Sequence, residues 1–394
     1  MKQVIYKTFA ILLLLYSSLS LSAQELSPEA RVSLITCGPG DEIYSFFGHS
    51  ALWVYDPKAG IDRIYNYGTF DFNIPNFYWE FTKGRLYYLL TVSRSAAFFQ
   101  EYILEDRLVI EQELNLTESE RNELFRLLEI NYLPQNRHYW YDFFKDNCST
   151  RIRDIIAEAT DNRYQWPAEP ENPMTFRQLL KPYVANRHGE RLGMFLLLAK
   201  GADQRATRSD YMFLPDQLYV SFDQAKTADG RPLVSAVRNL YIPETDRLSE
   251  TRTNWPLLIF TVWLLLSIWV SILKKTASRT VKWFDSVIYF ATGATGFLLT
   301  FMWFFTEHWT CKGNYELFWL NPINLIPLIL IWIPRSRKTL IWIAKTMLII
   351  NLLALISLPL WEQRVSVEAI LLGLLTLTAW YRASGFGQAA NHKP

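Results

Sequence analysis

Between residues 255 and 381 the sequence runs through five apolar stretches: Trp255 to Leu273, Phe284 to Phe305, Leu317 to Ile333, Leu340 to Leu360 and Ala369 to Tyr381. Most reach the roughly 20 residues that a helix rising about 1.5 Å per residue needs to cross a bilayer. Short loops between them leave no polar surface with which to face water, so this part of the chain belongs in a membrane. About five transmembrane helices are expected. The third stretch contains Pro322 and Pro327 and the fifth is short, so both are expected to be kinked or only partly inserted.

Loop charge sets the orientation, because Lys and Arg are retained on the cytoplasmic side. Lys274, Lys275, Arg279 and Lys282 follow the first stretch, Arg335, Arg337 and Lys338 follow the third, and Arg382 and Lys393 lie in the tail. Those segments read as cytoplasmic. The alternate loops, Thr306 to Glu316 and Trp361 to Glu368, carry Glu307, Glu316, Glu362 and Glu368 against Lys312 and Arg364, and read as outward. A first span running outside to inside then requires residues before it to be exported. The N-terminus agrees: Lys2 and Lys7, the apolar run Phe9 to Leu15 and small residues ending at Ala23 have the layout of a secretory signal peptide. The chain therefore divides into a signal peptide (1–23), an exported domain (24–230), a linker (231–254), a transmembrane region (255–381) and a cytoplasmic tail (382–394).

The exported part is long enough to bury a core. With 15 Trp, 21 Tyr and 25 Phe against 16 Gly and 18 Pro, the chain is not disordered, and three cysteines cannot build a disulfide scaffold. The net charge of +2, its positive excess confined to loops between apolar runs, gives no nucleic-acid footprint. Ser50 to Tyr55 alternates like a half-buried strand, with Ile61 to Tyr67 as its hairpin partner across Asp56, Pro57 and Gly60. Leu86 to Val92 and Leu108 to Leu116 are further strands. Thr117 and Glu120 form a capping box that opens a helix stopped near Pro134, Arg151 to Ala159 has helical spacing, and much of the rest to Leu218 reads as helix.

Two segments carry chemistry. In Phe46-Phe47-Gly48-His49-Ser50 a histidine follows a glycine where a strand begins. In Lys145-Asp146-Asn147-Cys148-Ser149-Thr150 a cysteine sits in the first turn of a helix, where unpaired amides and the macrodipole favour the thiolate. A nearby imidazole would favour it further and could shuttle protons. Taken alone, a Cys at a helix start is more often a small buried residue, and a His near a strand end more often structural. Cys37 is the second candidate nucleophile, but Gly38-Pro39-Gly40 after it reads as a turn. His138 is a second candidate base. No pair of His or Cys in the exported part has zinc-ligand spacing.

The stretch Thr36-Cys37-Gly38-Pro39-Gly40 through His49-Ser50, then Tyr65-Asn66-Tyr67-Gly68-Thr69-Phe70-Asp71-Phe72, then Asp146-Asn147-Cys148-Ser149-Thr150-Arg151 resembles the Lnb-type lipoprotein N-acyltransferase family over roughly residues 30 to 225. The resemblance implies an α+β fold, a permuted papain-like exported domain followed by an all-α transmembrane region, with Cys148 as nucleophile and His49 as base. It also implies the reaction, transfer of the sn-2 acyl chain of a diacylglyceryl lipoprotein to the α-amine of its lipid-bearing cysteine, leaving a lyso-form, at the outer face of the cytoplasmic membrane. The expected partners are that lipoprotein and membrane lipid, and neither nucleotide nor metal is required. Asn66 is the expected orienter of His49, with Tyr65 and Asp71 behind it. The amides of Cys148 and Ser149 are the expected oxyanion donors, and Asn147 serves as a helix cap or lines that site. Phe70 to Phe81 and Tyr139 to Phe144 are candidates for a lipid-facing wall, and Cys37 is free to pair with Cys311. A tethered cysteine peptidase or amidase cutting wall peptides and a non-catalytic scaffold are the competing functions.

Overall fold

A computed structural model describes residues 25–70, 75–245, 248, 252–273 and 278–385. The signal peptide, Asp71 and Phe72, Lys274 and Lys275, and the tail from 386 lie outside the described residues.

The N-terminal part is built on a seven-stranded antiparallel sheet. Its strands are β1 (Arg31–Cys37), β2 (His49–Asp56), β3 (Ile61–Phe70), β4 (Leu86–Ser93), β5 (Val109–Leu114), β6 (His138–Tyr141) and β7 (Val234–Tyr241), in the order β6-β4-β3-β2-β1-β5-β7. The alternating segments become β2 to β5 as their patterns require. β1 was not expected as a strand. It lies near the middle of the sheet and all but its first residue is buried, so it carries no polar alternation to read. β7 corrects the expected linker: Val234–Tyr241 pairs with β5 as an edge strand, so the domain continues past residue 230. Its exposed alternate residues read as linker sequence because only one face is covered.

Helices cover both faces of the sheet. Four of them frame it: α1 (Phe77–Thr82), α2 (Ser95–Leu104), α3 (Glu118–Tyr132) and α4 (Cys148–Ala159). The Thr117–Glu120 box closes as expected, with the Glu120 amide donating to Thr117 Oγ1 at 3.2 Å and the Thr117 amide to Glu120 Oε2 at 2.8 Å. α3 and α4 bury Leu124, Leu128, Ile152 and Ile156 against Leu34, Leu52 and Tyr65, while α2 packs Phe98 and Tyr102 against Ile35, Ala51 and Ile64 on the opposite face. A separate aromatic cluster beyond one edge joins Phe46, Phe47, Phe144, Phe176 and Phe213. α5 (His188–Leu197) adds Phe195 to it, while α6 (Pro215–Gln224) packs Leu218 and Phe222 into the sheet core.

The C-terminal part is helical: α7 (Trp255–Ile272), α8 (Arg279–Phe304), α9 (Arg337–Ser357) and α10 (Val367–Ala383). Three helical segments among the described residues, Trp255–Ile272, Arg279–Phe304 and Pro334–Leu360, are long and apolar enough to cross a membrane. α10 has 17 residues. The third apolar stretch is not one helix. Pro322 and Pro327 each start a new short turn, and Asn321 and Asn324 satisfy the backbone that the breaks expose. That irregular backbone is tolerable beside apolar helices because protein covers it: a Cβ on Gly296 of α8 would lie 2.4 Å from Asn321 backbone atoms. Deeper in the bundle the Arg382 guanidinium is fully buried against Asp285 and also donates to the Ser267 carbonyl at 2.7 Å.

Both loops assigned outward by charge meet the N-terminal domain. The Glu307 amide donates to the Lys83 carbonyl and the Ala199 amide to the Thr310 carbonyl, each at 2.7 Å. Asn314 donates to the Leu196 carbonyl at 2.7 Å, and Arg191 pairs with Glu368 at 3.0 Å. Asp203 is the central tie. Buried, it takes a salt bridge from Arg177 at 2.9 Å and the Arg364 amide at 3.0 Å, while Arg177 also donates to the Phe195 and Leu198 carbonyls. Removing one partner of such a pair strands the other charge without water. Asp203→Ala is expected to cost about 3 kcal/mol in thermal unfolding of the full chain in detergent. A loss below about 1 kcal/mol, the range of exposed pairs, would refute this role for the buried tie.

Candidate active site

Asn147 begins the site. Its Oδ1 accepts the amides of Ser149 at 2.9 Å and Thr150 at 3.0 Å, its own amide donates to Thr150 Oγ1 at 2.7 Å, and its Nδ2 donates to the carbonyls of Phe143 at 2.9 Å and Phe213 at 2.7 Å. A buried carboxamide spent in this way is a cap, and it places Cys148 at the first position of α4. It also corrects one expectation, since the Ser149 amide is committed to Asn147 and is not a spare oxyanion donor.

The sheet opens where α4 points. β2 pairs with β3 from Asp56↔Ile61 to Leu52↔Tyr65 and no further, while β3 continues through a bulge between Asn66 and Thr69 along β4. Beyond Leu52 the two strands diverge, leaving His49 on one side and Asn66 to Gly68 on the other. Two glycines make the opening possible. Gly48 has φ +79°, and a Cβ there would stand 2.6 Å from the Cys37 carbonyl oxygen. Gly68 has φ +88°, and a Cβ there would lie 3.8 Å from Cys148 Cβ and from the Tyr139 hydroxyl, and 3.4 Å from the Tyr141 ring. The motif Gly-His at the head of β2 thus reflects a turn that only glycine makes without strain.

Into this opening His49 and Cys148 converge. His49 Nε2 lies 2.6 Å from Asn66 Oδ1, so Nε2–H donates and Nδ1 is left for the thiol, which hydrogen-bonds the ring. Tyr102 stacks on the imidazole with ring centres 6.4 Å apart, and Phe98 flanks it at 6.5 Å. Burial alone would push the Cys148 thiol up, but the His49 charge and hydrogen bond, the Ser50 amide and the Ser149 hydroxyl together hold it below the ordinary thiol value. For His49 burial works the other way and would lower it, yet the sulfur's charge, its hydrogen bond and Asn66 raise it above the ordinary imidazole value. Opposite shifts on the two coupled groups mean that each favours the charged form of the other. Cys148 is only 7% exposed, so the pair works away from bulk water.

The other candidates fall elsewhere. Cys37 sits opposite His49 in the β1–β2 register, but it is buried and burial pushes its thiol far up. Cys311 lies in the outer loop, its thiol pushed up to about 11 by burial, and all three cysteines are free, which removes the Cys37–Cys311 pairing. Cys37 is held inside the sheet layer, whereas Cys311 belongs to a loop docked from outside it. His138 stacks on Tyr87 at 5.2 Å on the edge strand β6. Tyr65 donates its hydroxyl to Glu129 and does not stand behind Asn66. Its neighbour in sequence points to the opposite face of the strand, as the pleat demands.

Against that geometry, profiles of known domains are informative. The Lnb N-terminal periplasmic domain matches residues 22–182 and the Lnb transmembrane domain matches residues 249–384, in that order. The chain belongs to the Lnb family. It is accordingly a membrane protein with a periplasmic N-terminal domain, and the site of Cys148, His49 and Asn66 lies within the matched periplasmic part of this Lnb protein. No curated protein and no solved structure matches the chain.

The paired shifts have a sign that can be checked. Because the Cys148 thiol is held below the ordinary thiol value, its alkylation by iodoacetamide should rise at a lower pH than that of an ordinary thiol. His49→Ala should move that profile up toward an ordinary thiol, and peptide mapping should show Cys37 and Cys311 unlabelled under the same native conditions. An unchanged profile in His49→Ala would show that the imidazole does not set the ionisation of the sulfur.

Proposed function

We propose that this Lnb protein is a thiol-dependent acyltransferase that moves a fatty acyl chain from a lipid glycerol ester to the α-amine of a lipoprotein. The observation that carries the reading is the buried Cys148–His49–Asn66 arrangement at a helix N-terminus, in a domain tied to a membrane bundle.

Cys148 thiolate attacks the ester carbonyl. His49, protonated in the resting pair, gives its Nδ1 proton to the departing glycerol oxygen, and Asn66 holds the ring by accepting from Nε2–H. The thioester then meets the lipoprotein amine, whose proton returns to His49, and amide formation drives the second half forward. The imidazole gives one proton to the alcohol and takes one from the amine, so the cycle closes with only the residues named. Burial of the sulfur favours an amine delivered on a lipid over water as the acceptor.

The surface beside the site suits a lipid. α1 presents Tyr78, Trp79 and Phe81 outward, and Trp79 lies 6.3 Å from Phe301 near the outer end of α8, with Lys83 over its ring at 4.9 Å. Aromatic side chains beside a cation at the end of a spanning helix are the usual furniture of a membrane interface. Of the expected lipid-facing wall, α1 keeps this role in the proposal. Tyr139, Tyr141 and Phe144 pack inward, and only Trp140 of that run is largely exposed.

Lipoprotein N-termini from cells carrying Cys148→Ala in place of the wild type provide the test. N-acylation should disappear, and His49→Ala should lower it by about 10²–10⁴-fold as measured on purified protein. Chain number identifies the donor: two chains mark transfer of the sn-2 chain within one lipoprotein, giving the lyso-form that the family resemblance implied, and three mark a phospholipid donor. Unaltered N-acylation together with changed wall fragments would replace this proposal with a peptidase.

A further inference from the structure

Acyl transfer at Cys148 needs a donor for the negative charge that develops on the carbonyl oxygen, and the helix that carries the nucleophile has already given the Ser149 and Thr150 amides to Asn147. The Cys148 amide remains on that helix, and a second donor has to come from another element. One side chain beside the sulfur is suited to the role. Tyr139, on β6, is 7% exposed, and its hydroxyl is a buried polar atom with no hydrogen-bond partner. A buried, unpartnered hydroxyl is costly, and in a native fold it asks for an explanation. Its location supplies one. The hydroxyl oxygen and Cys148 Cβ both lie 3.8 Å from the point where a Cβ of Gly68 would stand, so both border the space that this glycine leaves empty.

We propose that the Tyr139 hydroxyl is an oxyanion donor, a catalytic residue that hydrogen-bonds the substrate's carbonyl oxygen in the gap over Gly68. This rests on the acyl-transfer reading above. As the sulfur–carbon bond forms, the carbonyl π electrons move onto oxygen and Tyr139 O–H donates to it. When the C=O bond reforms, the bond to the glycerol oxygen breaks and that oxygen takes the proton from His49, leaving thioester and alcohol. Tyr139 neither gains nor loses a proton. Its surroundings keep it protonated, because burial and the nearby Cys148 sulfur push the phenol far up and outweigh the Arg151 guanidinium, centred 4.2 Å over the ring and paired with Asp146, which alone would favour the phenolate. The same guanidinium polarises the ring and makes the O–H a better donor. Any side chain at position 68 would fill the gap that the oxyanion occupies, which gives Gly68 a second reason to lack one.

Tyr139→Phe in the full-length protein in detergent, compared with the wild type, separates the possibilities, because iodoacetamide alkylation needs the thiolate but forms no oxyanion. With a diacylglyceryl lipopeptide and a short-chain acyl thioester or ester as donors, the variant is expected to lose about 10²–10³-fold in acyl-transfer turnover while the rate and pH profile of Cys148 alkylation stay unchanged. Turnover within about twofold of wild type overturns the proposal, as does an equal loss in alkylation, which marks a merely structural tyrosine. A wild type that alkylates at Cys148 but acylates no amine with any donor brings down the acyl-transfer reading itself, and this proposal with it.

Discussion

The buried carboxamide of Asn147 is the joint on which the site turns. One side chain caps α4 through two amides and grips the carbonyls of Phe143 and Phe213, so the helix start, the preceding loop and the aromatic cluster are fixed to one another. An exposed cap of this kind is worth about 1 kcal/mol, but here all four contacts are buried or nearly so and none can be replaced by water. Cys148 owes its place to the cap. It is the first residue of α4, where the dipole favours a thiolate. Positioning the nucleophile through backbone elements in this way leaves its own side chain free to react.

The sheet supplies the other half of the arrangement by failing to close. Continued pairing of β2 with β3 past Leu52 would place Gly68 across from His49 and leave no room for a sulfur between them. The bulge at Asn66 to Thr69 turns β3 toward β4 instead, and α4 inserts its first residue into the opening. His49 and Asn66 then meet across diverging strands at 2.6 Å, a contact that regular pairing would not make. Strain is confined to Gly48 and Gly68, which carry positive φ without a Cβ penalty.

Much of this arrangement was legible in the sequence, for physical reasons that differ by residue. Cys148 announced itself because it falls in the first turn of a segment with helical spacing. Asn66 followed from pairing two alternating segments across a turn. The membrane half was legible from length alone, and its orientation from loop charge. β1 was hidden because a strand buried on both faces has no alternation, and β7 because an edge strand with no fully buried residue resembles a polar linker. Tyr139 was read only as part of an aromatic wall. Nothing local distinguishes a hydroxyl that will lack a partner from one that will have one, because that depends on Gly68, 71 positions away.

The least legible feature is the one that unites the halves. Trp309, in the loop between α8 and the broken segment, donates its indole N–H to Asp142 Oδ2 at 3.0 Å and packs against Phe144 and Phe176. Asp142 uses its other oxygen for the amides of Phe144 and Lys145, each at 2.9 Å, and its backbone pairs with Asp146. That short loop runs directly into Asn147 and Cys148. A carboxylate accepting on one side from the loop that ends in the nucleophile and on the other from a loop of the membrane bundle makes the two a single unit, so the height of the sulfur above the bilayer is set by where α8 ends. For the acyl transfer proposed above, in which both substrates are held in a membrane, this fixed height matters. The ester and amine arrive at a depth dictated by their lipid chains, and a nucleophile on a domain free to tilt would meet them only occasionally. The Trp309–Asp142 contact acts together with the Asp203 tie and the other contacts between the domain and the outer loops, and several separated anchors suppress the tilt that one would permit.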